Sequence, residues 1–131
     1  MRTAVALASA LLAAGCTASD YPPAAGWSRA PDLSAYSAMV LYGGIAREQA
    51  MLCGGFSPAS VDRHWQDDFG GREAAVEAAL VGRHGAAAVE RAESEAVATR
   101  TVPCPDVPDL RWRVHYARLL RLLEVRTGLR G

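Results

Sequence analysis

From residue 32 to the C-terminus, apolar residues recur every three or four positions, and no useful length of chain shows strict apolar/polar alternation. That periodicity confines the chain to helices packed on helices. Asp32 or Ser34 is placed to cap a first helix running to about Leu52, where Gly54-Gly55 stops it. This helix is apolar on most sides, with Arg47, Glu48 and Gln49 as the main exceptions, so it is expected to be the central one. Its apolar stretch from Ala35 to Ala46 is too short to span a bilayer, which takes roughly 20 residues. Gly43-Gly44 in its middle costs roughly 1 kcal/mol per glycine relative to alanine and predicts a kink or a close helix contact.

Ser57-Pro58 opens a second helix, because the serine can accept from a first-turn amide and proline tolerates the first helical position. Val61, Trp65 and Phe69 form its stripe, and Gly70-Gly71 is expected to end it. Arg72 to His84 reads as the next helix, with Val76 and Leu80 on one face and Gly85 as its stop. Ala86 to about Arg100 follows, as a separate helix or as one kinked helix with its predecessor, with a thin face of Val89 and Val97 among alanines and acids, and is expected to be the least stable element. Pro103-Cys104-Pro105-Asp106-Val107-Pro108 must be an extended strap. Asp106 or Asp109 then caps a last helix to about Thr127, whose Trp112, Tyr116, Leu119, Leu120 and Leu123 share one face. The fold class read from this pattern is all-α: a small four- or five-helix bundle over residues 32–131.

The N-terminus obeys a different logic. Met1 and Arg2 supply one charge, Thr3 to Ala14 form an apolar run, and Ala13-Ala14-Gly15-Cys16 follows. This is the order of a secretory signal, and a run of about 12 residues is too short for a permanent span. Leu11-Leu12-Ala13-Ala14-Gly15-Cys16 resembles the bacterial lipobox, in which small residues precede a cysteine that is acylated and becomes the new N-terminus. The position three before the cysteine, usually Leu, is Ala13 here, with Leu12 one step earlier. The resemblance implies a signal peptide over residues 1–15, lipidation of Cys16, and a lipid-anchored place in the bacterial cell envelope facing the periplasm. The alternative is ordinary signal cleavage after Ala18 and a soluble periplasmic protein. Residues 16–31, with three prolines and a lone Trp27, read as a flexible tether with a reach of roughly 20 Å.

Cysteine parity fits the lipidated reading. An exported domain tends to pair its thiols, and three cysteines leave one over. Giving Cys16 to lipid leaves Cys53 and Cys104 as one disulfide, whose closed loop of about 51 residues is worth on the order of 4 kcal/mol by loop entropy. Every basic residue is arginine, and loss of Arg2 leaves 13 of the 14 against 14 acids. A near-neutral chain does not point to nucleic-acid binding.

Few residues offer chemistry. His64 and Asp68 stand one turn apart, with Asp67 beside them, a spacing that can hold a metal; His84 and His115 would have to complete the set. Ser57 and Ser60 lie in no nucleophile elbow, and no glycine-rich phosphate loop is present. No catalytic residue, metal site or cofactor is therefore assigned. The charge distribution is the feature that rises above background. Arg111, Arg113, Arg118, Arg121, Arg126 and Arg130 face Glu124 alone, whereas Asp62 to Glu95 holds eight acids against four arginines. An arginine-rich amphipathic helix can lie on anionic lipid or grip an acidic partner, with Arg111, Arg118, Arg121 and Arg126 as the candidate surface. The preferred expectation is internal packing of this helix beside the acidic ones. Functionally, the preferred reading is a non-enzymatic envelope module, held to the membrane by its N-terminal lipid and binding an envelope protein or component. The alternative is a small periplasmic enzyme or metal-binding protein using His64 and Asp68.

Overall fold

The computed structural model describes residues 24–98, 102, 104 and 110–131, and the regular structure of these residues is entirely helical. The elements are α1 (Ala24–Trp27), α2 (Asp32–Leu52), α3 (Pro58–Trp65), a π-turned segment (Gln66–Gly70), α4 (Gly71–His84), α5 (Ala86–Ala98) and α6 (Arg111–Arg126). Since α3, the π segment and α4 follow without a break, the long elements amount to four rods. The centre is α2, packed against α6, α5 and α3, while α4 closes the bundle against α5 and α6. α2 and α6 run antiparallel: Arg126 reaches Ala30 and Asp32 at one end, and the Tyr42 and Trp112 rings meet at 5.6 Å towards the other.

The core takes a stripe from every rod. Tyr36, Met39 and Tyr42 of α2 meet Trp65 and Phe69, then Val76 and Leu80 of α4, Val89 and Ala92 of α5, and Trp112, Tyr116, Leu119, Leu120 and Leu123 of α6. The stripes expected from helical spacing on α3, α4 and α6 are the ones buried. Gly43 makes the close contact that its position in α2 suggested. A Cβ there would stand 2.8 Å from the Tyr116 ring and 3.2 Å from Trp65. The missing side chain lets the α6 aromatic seat against the α2 backbone.

Helix ends follow the chemistry in part. Ser57 Oγ accepts from the Ser60 amide at 3.2 Å, as expected of a cap with proline behind it. Gly55 and Gly85 take positive φ of 72° and 88°, a region open to glycine, after α2 and α4 respectively. Three expectations need correction. Neither Asp32 nor Ser34 caps α2: Pro31 holds that position without a side-chain bond, and Asp32 is the first helical residue. Gly70-Gly71 does not end a helix, because both residues keep right-handed helical angles and the chain turns through the π segment instead. In α5, Val97 is 57% exposed and the buried positions are Val89, Ala92 and Ala96. The expected caps of α6, Asp106 and Asp109, lie outside the described residues, which resume at Leu110 just before the helix.

Cys53 and Cys104 are joined, with Cα atoms 5.4 Å apart. The bond ties the end of α2 to the connection that leads into α6. Of the tether expected over residues 16–31, the part up to residue 23 lies outside the described residues, as do the signal segment and Cys16. The remainder is part of the folded domain. Trp27 packs against the core, and the carbonyls of Trp27, Ser28 and Ala30 all accept from Arg126. A large amphipathic ring beside an apolar wall accounts for that docking better than linker composition does.

Candidate functional site

The residues with chemical potential are dispersed. His64 Nδ1 stands 2.7 Å from the carbonyl oxygen of Ser60 one turn earlier, on the exposed face of α3. Asp68, one turn later, accepts from Arg113 of α6 at 2.6 Å. His84 pairs with Asp32 at 3.1 Å, and His115 stacks its ring 5.7 Å from Tyr42. The three histidines thus occupy three separate neighbourhoods. Among the described residues, no group of three or more His, Cys, Asp or Glu side chains is arranged to hold a metal ion. Burial, then the charges of Arg118 and Arg111, hold the His115 imidazole below its ordinary pKa, which favours the neutral ring at its half-buried site.

The polar groups near the core tie the helices to one another. Glu73 of α4 accepts from the Tyr116 hydroxyl at 2.7 Å and from the Trp65 indole at 3.3 Å. Tyr36 donates to Glu93 at 2.7 Å, and Ser37 donates to the Ala92 carbonyl at 2.9 Å, tying α2 to α5. Burial first, then the neighbouring glutamate, pushes both phenols well above the ordinary tyrosine range, so each stays a hydrogen-bond donor. The Glu77 carboxyl is raised above its ordinary pKa by burial first and then by the charges of Glu93 and Glu73. The Arg47 guanidinium lies 5.0 Å from the Trp65 ring centre, and that of Arg113 lies 4.9 Å from the Phe69 ring centre. Between α2 and α5 a shallow, open groove is bordered by Leu33, Ser34, Ala88, Arg91 and Glu95, and it encloses none of these groups.

Charge on α6 is divided by direction. Arg126 turns inward and clamps the segment before α2: Nη1 bonds the Ala30 carbonyl at 2.6 Å, Nη2 bonds those of Ser28 and Trp27 at 2.6 and 2.9 Å, and Asp32 lies 3.4 Å away. Asp32 also faces Arg83 at 3.5 Å, and the His84 hydrogen bond, followed by the charges of Arg126, His84 and Arg83, lowers its pKa. Glu124, 4% exposed, is held by Arg72 at 2.5 Å and Arg130 at 3.0 Å. The hydrogen bond from Arg72 leads the effects that depress its pKa. Of the expected pairing between the basic last helix and the acidic middle ones, the ion pair of Arg113 with Asp68 is an instance, whereas Arg126 turns to Asp32 of α2 and Arg130 to Glu124 of its own segment. Of the four candidate surface arginines, Arg126 belongs to this clamp, while Arg111, Arg118 and Arg121 are exposed. Arg118 and Arg121 make no ion pair among the described residues.

Val114 and Val125, which the helical pattern of the core does not single out, stand on the outside of α6 at 44% and 47% exposure. The four-residue offsets of Val114 from Arg118 and of Val125 from Arg121 were the available signal. No helix among the described residues is long and apolar enough to cross a membrane. No family model, curated protein or solved structure matches the chain, so its reading rests on residues and geometry alone.

Proposed function

We propose that the chain is the precursor of an exported bacterial lipoprotein, anchored through Cys16 in the cell envelope, whose helical domain faces the periplasm as a non-enzymatic binding or structural module. The observation that carries the proposal is the Cys53–Cys104 disulfide. Such bonds belong mainly to oxidising compartments, and pairing these two cysteines leaves Cys16, the residue after Ala13-Ala14-Gly15, as the odd thiol. The short apolar run behind Arg2 supports export, and the docking of the segment before α2 leaves seven residues between Cys16 and Ala24 as the connection to an anchor. A binding or scaffolding role is favoured because the carboxylates near the core are engaged in holding helices together, Glu73 by Tyr116, Glu93 by Tyr36 and Glu124 by Arg72. His64 and Asp68, the pair on which an enzymatic or metal-binding reading depends, are turned to different partners.

Metabolic labelling with palmitate and membrane fractionation test the anchor. The unaltered protein should take up label and sediment with membranes, and Cys16→Ser should do neither. A Cys16→Ser protein that still carries label at the membrane would contradict the proposal.

A further inference from the structure

α6 bears a second stripe that the core does not use. Val114, Arg118, Arg121 and Val125 follow at steps of four, three and four residues, so they share a face directly opposite Trp112, Tyr116, Leu119 and Leu123. All four are exposed, and Leu129, 45% exposed just past the helix end, lies one further step of four along the chain. The stripe contains no carboxylate. The single acid of α6, Glu124, lies off it and is taken up by Arg72 and Arg130. Arg113 and Arg126 turn to carboxylates and carbonyls of the domain, whereas Arg118 and Arg121 are left facing outward.

We infer that this outer stripe of α6 seats the domain on the anionic headgroup layer of a membrane. Guanidinium groups fork onto phosphate oxygens, and short aliphatic side chains between them can rest against the headgroup boundary at little desolvation cost. Charge complementarity selects an anionic layer, since on a zwitterionic surface a choline ammonium offsets each phosphate and no net surface potential draws the arginines in. The position of the connection to Cys16 points the same way. The described chain begins at Ala24, and the segment that follows is clamped by Arg126 at the end of α6 where Arg121, Val125 and Leu129 lie. The eight Cα-to-Cα steps from Ala24 back to Cys16 reach at most about 27 Å. An acyl chain on Cys16 would therefore hold the bilayer within reach of the stripe; this part of the inference rests on the lipoprotein reading, whereas the stripe itself does not.

The processed protein, purified from cells, would be placed with vesicles of phosphatidylcholine alone or of phosphatidylcholine with phosphatidylglycerol. Its arginines would then be labelled with an arginine-selective dicarbonyl reagent, and the modified peptides read by mass spectrometry. Arg118 and Arg121 should react at least about fivefold more slowly on the anionic vesicles, from the attraction that each arginine near such a surface provides. Protection should disappear at high salt, where screening shortens the reach of charge. Arg63 and Arg91, exposed on other helices, should react equally in both cases. Val114→Asp combined with Val125→Asp should remove the protection without lowering the melting temperature appreciably, because both side chains point to solvent. The mass of the N-terminal peptide in the same digest reports acylation separately. Equal reactivity of Arg118 and Arg121 on both vesicle types, with or without lipid on Cys16, would overturn the inference, as would equal protection on neutral vesicles. Protection on anionic vesicles in a protein that lacks the lipid would uphold the stripe while contradicting the anchor.

Discussion

Gly43→Ala tests whether the α2–α6 contact is as tight as its geometry indicates. On an open helix surface, replacing glycine with alanine stabilises by roughly 1 kcal/mol. Here the new Cβ would meet Tyr116 Cδ2 at 2.8 Å and Cε2 at 3.0 Å, closer than carbon atoms pack. The ring has little freedom to withdraw. Tyr116 is 1% exposed, its hydroxyl is bonded to Glu73 at 2.7 Å, and its ring is bracketed by Trp65 and Phe69 at centroid distances of 4.6 and 4.9 Å. Overpacking of this kind costs typically about 1–3 kcal/mol. The cost exceeds the propensity gain, and a net loss on the order of 1 kcal/mol should lower the melting temperature by roughly 4–8 °C for a domain of this size. Gly82→Ala is the matched control. It lies in α4 with nothing within 4 Å of its built Cβ, so only the propensity term operates and stability should rise by about 0.5–1 kcal/mol. Thermal unfolding of both variants by circular dichroism, with the disulfide intact, reads the two signs. A Gly43→Ala protein at least as stable as the parent would refute the close-packed account of the bundle centre.

Other consequences are equally direct. Trp112→Ala, which empties a buried site beside Tyr42, should cost about 3–5 kcal/mol in a denaturant titration, while Arg118→Gln with Arg121→Gln should change stability by less than about 1 kcal/mol. Reduction of the Cys53–Cys104 bond should lower stability by an amount on the order of 4 kcal/mol if loop entropy governs, and non-reduced peptide mapping should recover the two cysteines joined. Glu124 and Asp32 have folded pKa values below their ordinary values of 4.5 and 3.8, so their contribution is complete above those values and is lost as pH falls through the folded ones. Melts run from neutral to acid pH should therefore fall off below about pH 4.5, and Glu124→Gln should flatten that limb. Glu77 is shifted the opposite way and disfavours folding when charged, so Glu77→Gln should leave stability at neutral pH unchanged or raised.

The bundle was legible in the sequence where a stripe of large apolar residues marked it. Trp65, Phe69, Val76, Leu80 and the α6 series announced both the helices and their buried sides. Alanine gives no such mark, and on α5 the inward positions turned out to be Ala92 and Ala96, with the larger Val97 outside. Paired glycines were ambiguous for a related reason. Glycine allows the left-handed turn that ends α4 at Gly85, but it also remains helical at Gly70 and Gly71 when the rods on either side bury a common face. The docking of residues 24–31 depends on Arg126 reaching carbonyls almost 100 positions earlier in the chain, with a separation of 99 for its bond to Trp27, and local pattern carries no trace of it. For the surface, the excess of arginine on the last helix was visible, whereas its division into clamped and outward-facing groups required the partners Asp68, Asp32 and Glu124 to be placed.

The claim that organises these observations is export followed by acylation at Cys16, and the mass of the mature N-terminal peptide tests it most directly. The protein recovered from cells should begin at Cys16 and carry acyl groups there, with Cys53 and Cys104 disulfide-bonded. A mature chain that begins at Ser19 without lipid would contradict the anchor, and one that retains Met1 would contradict export itself.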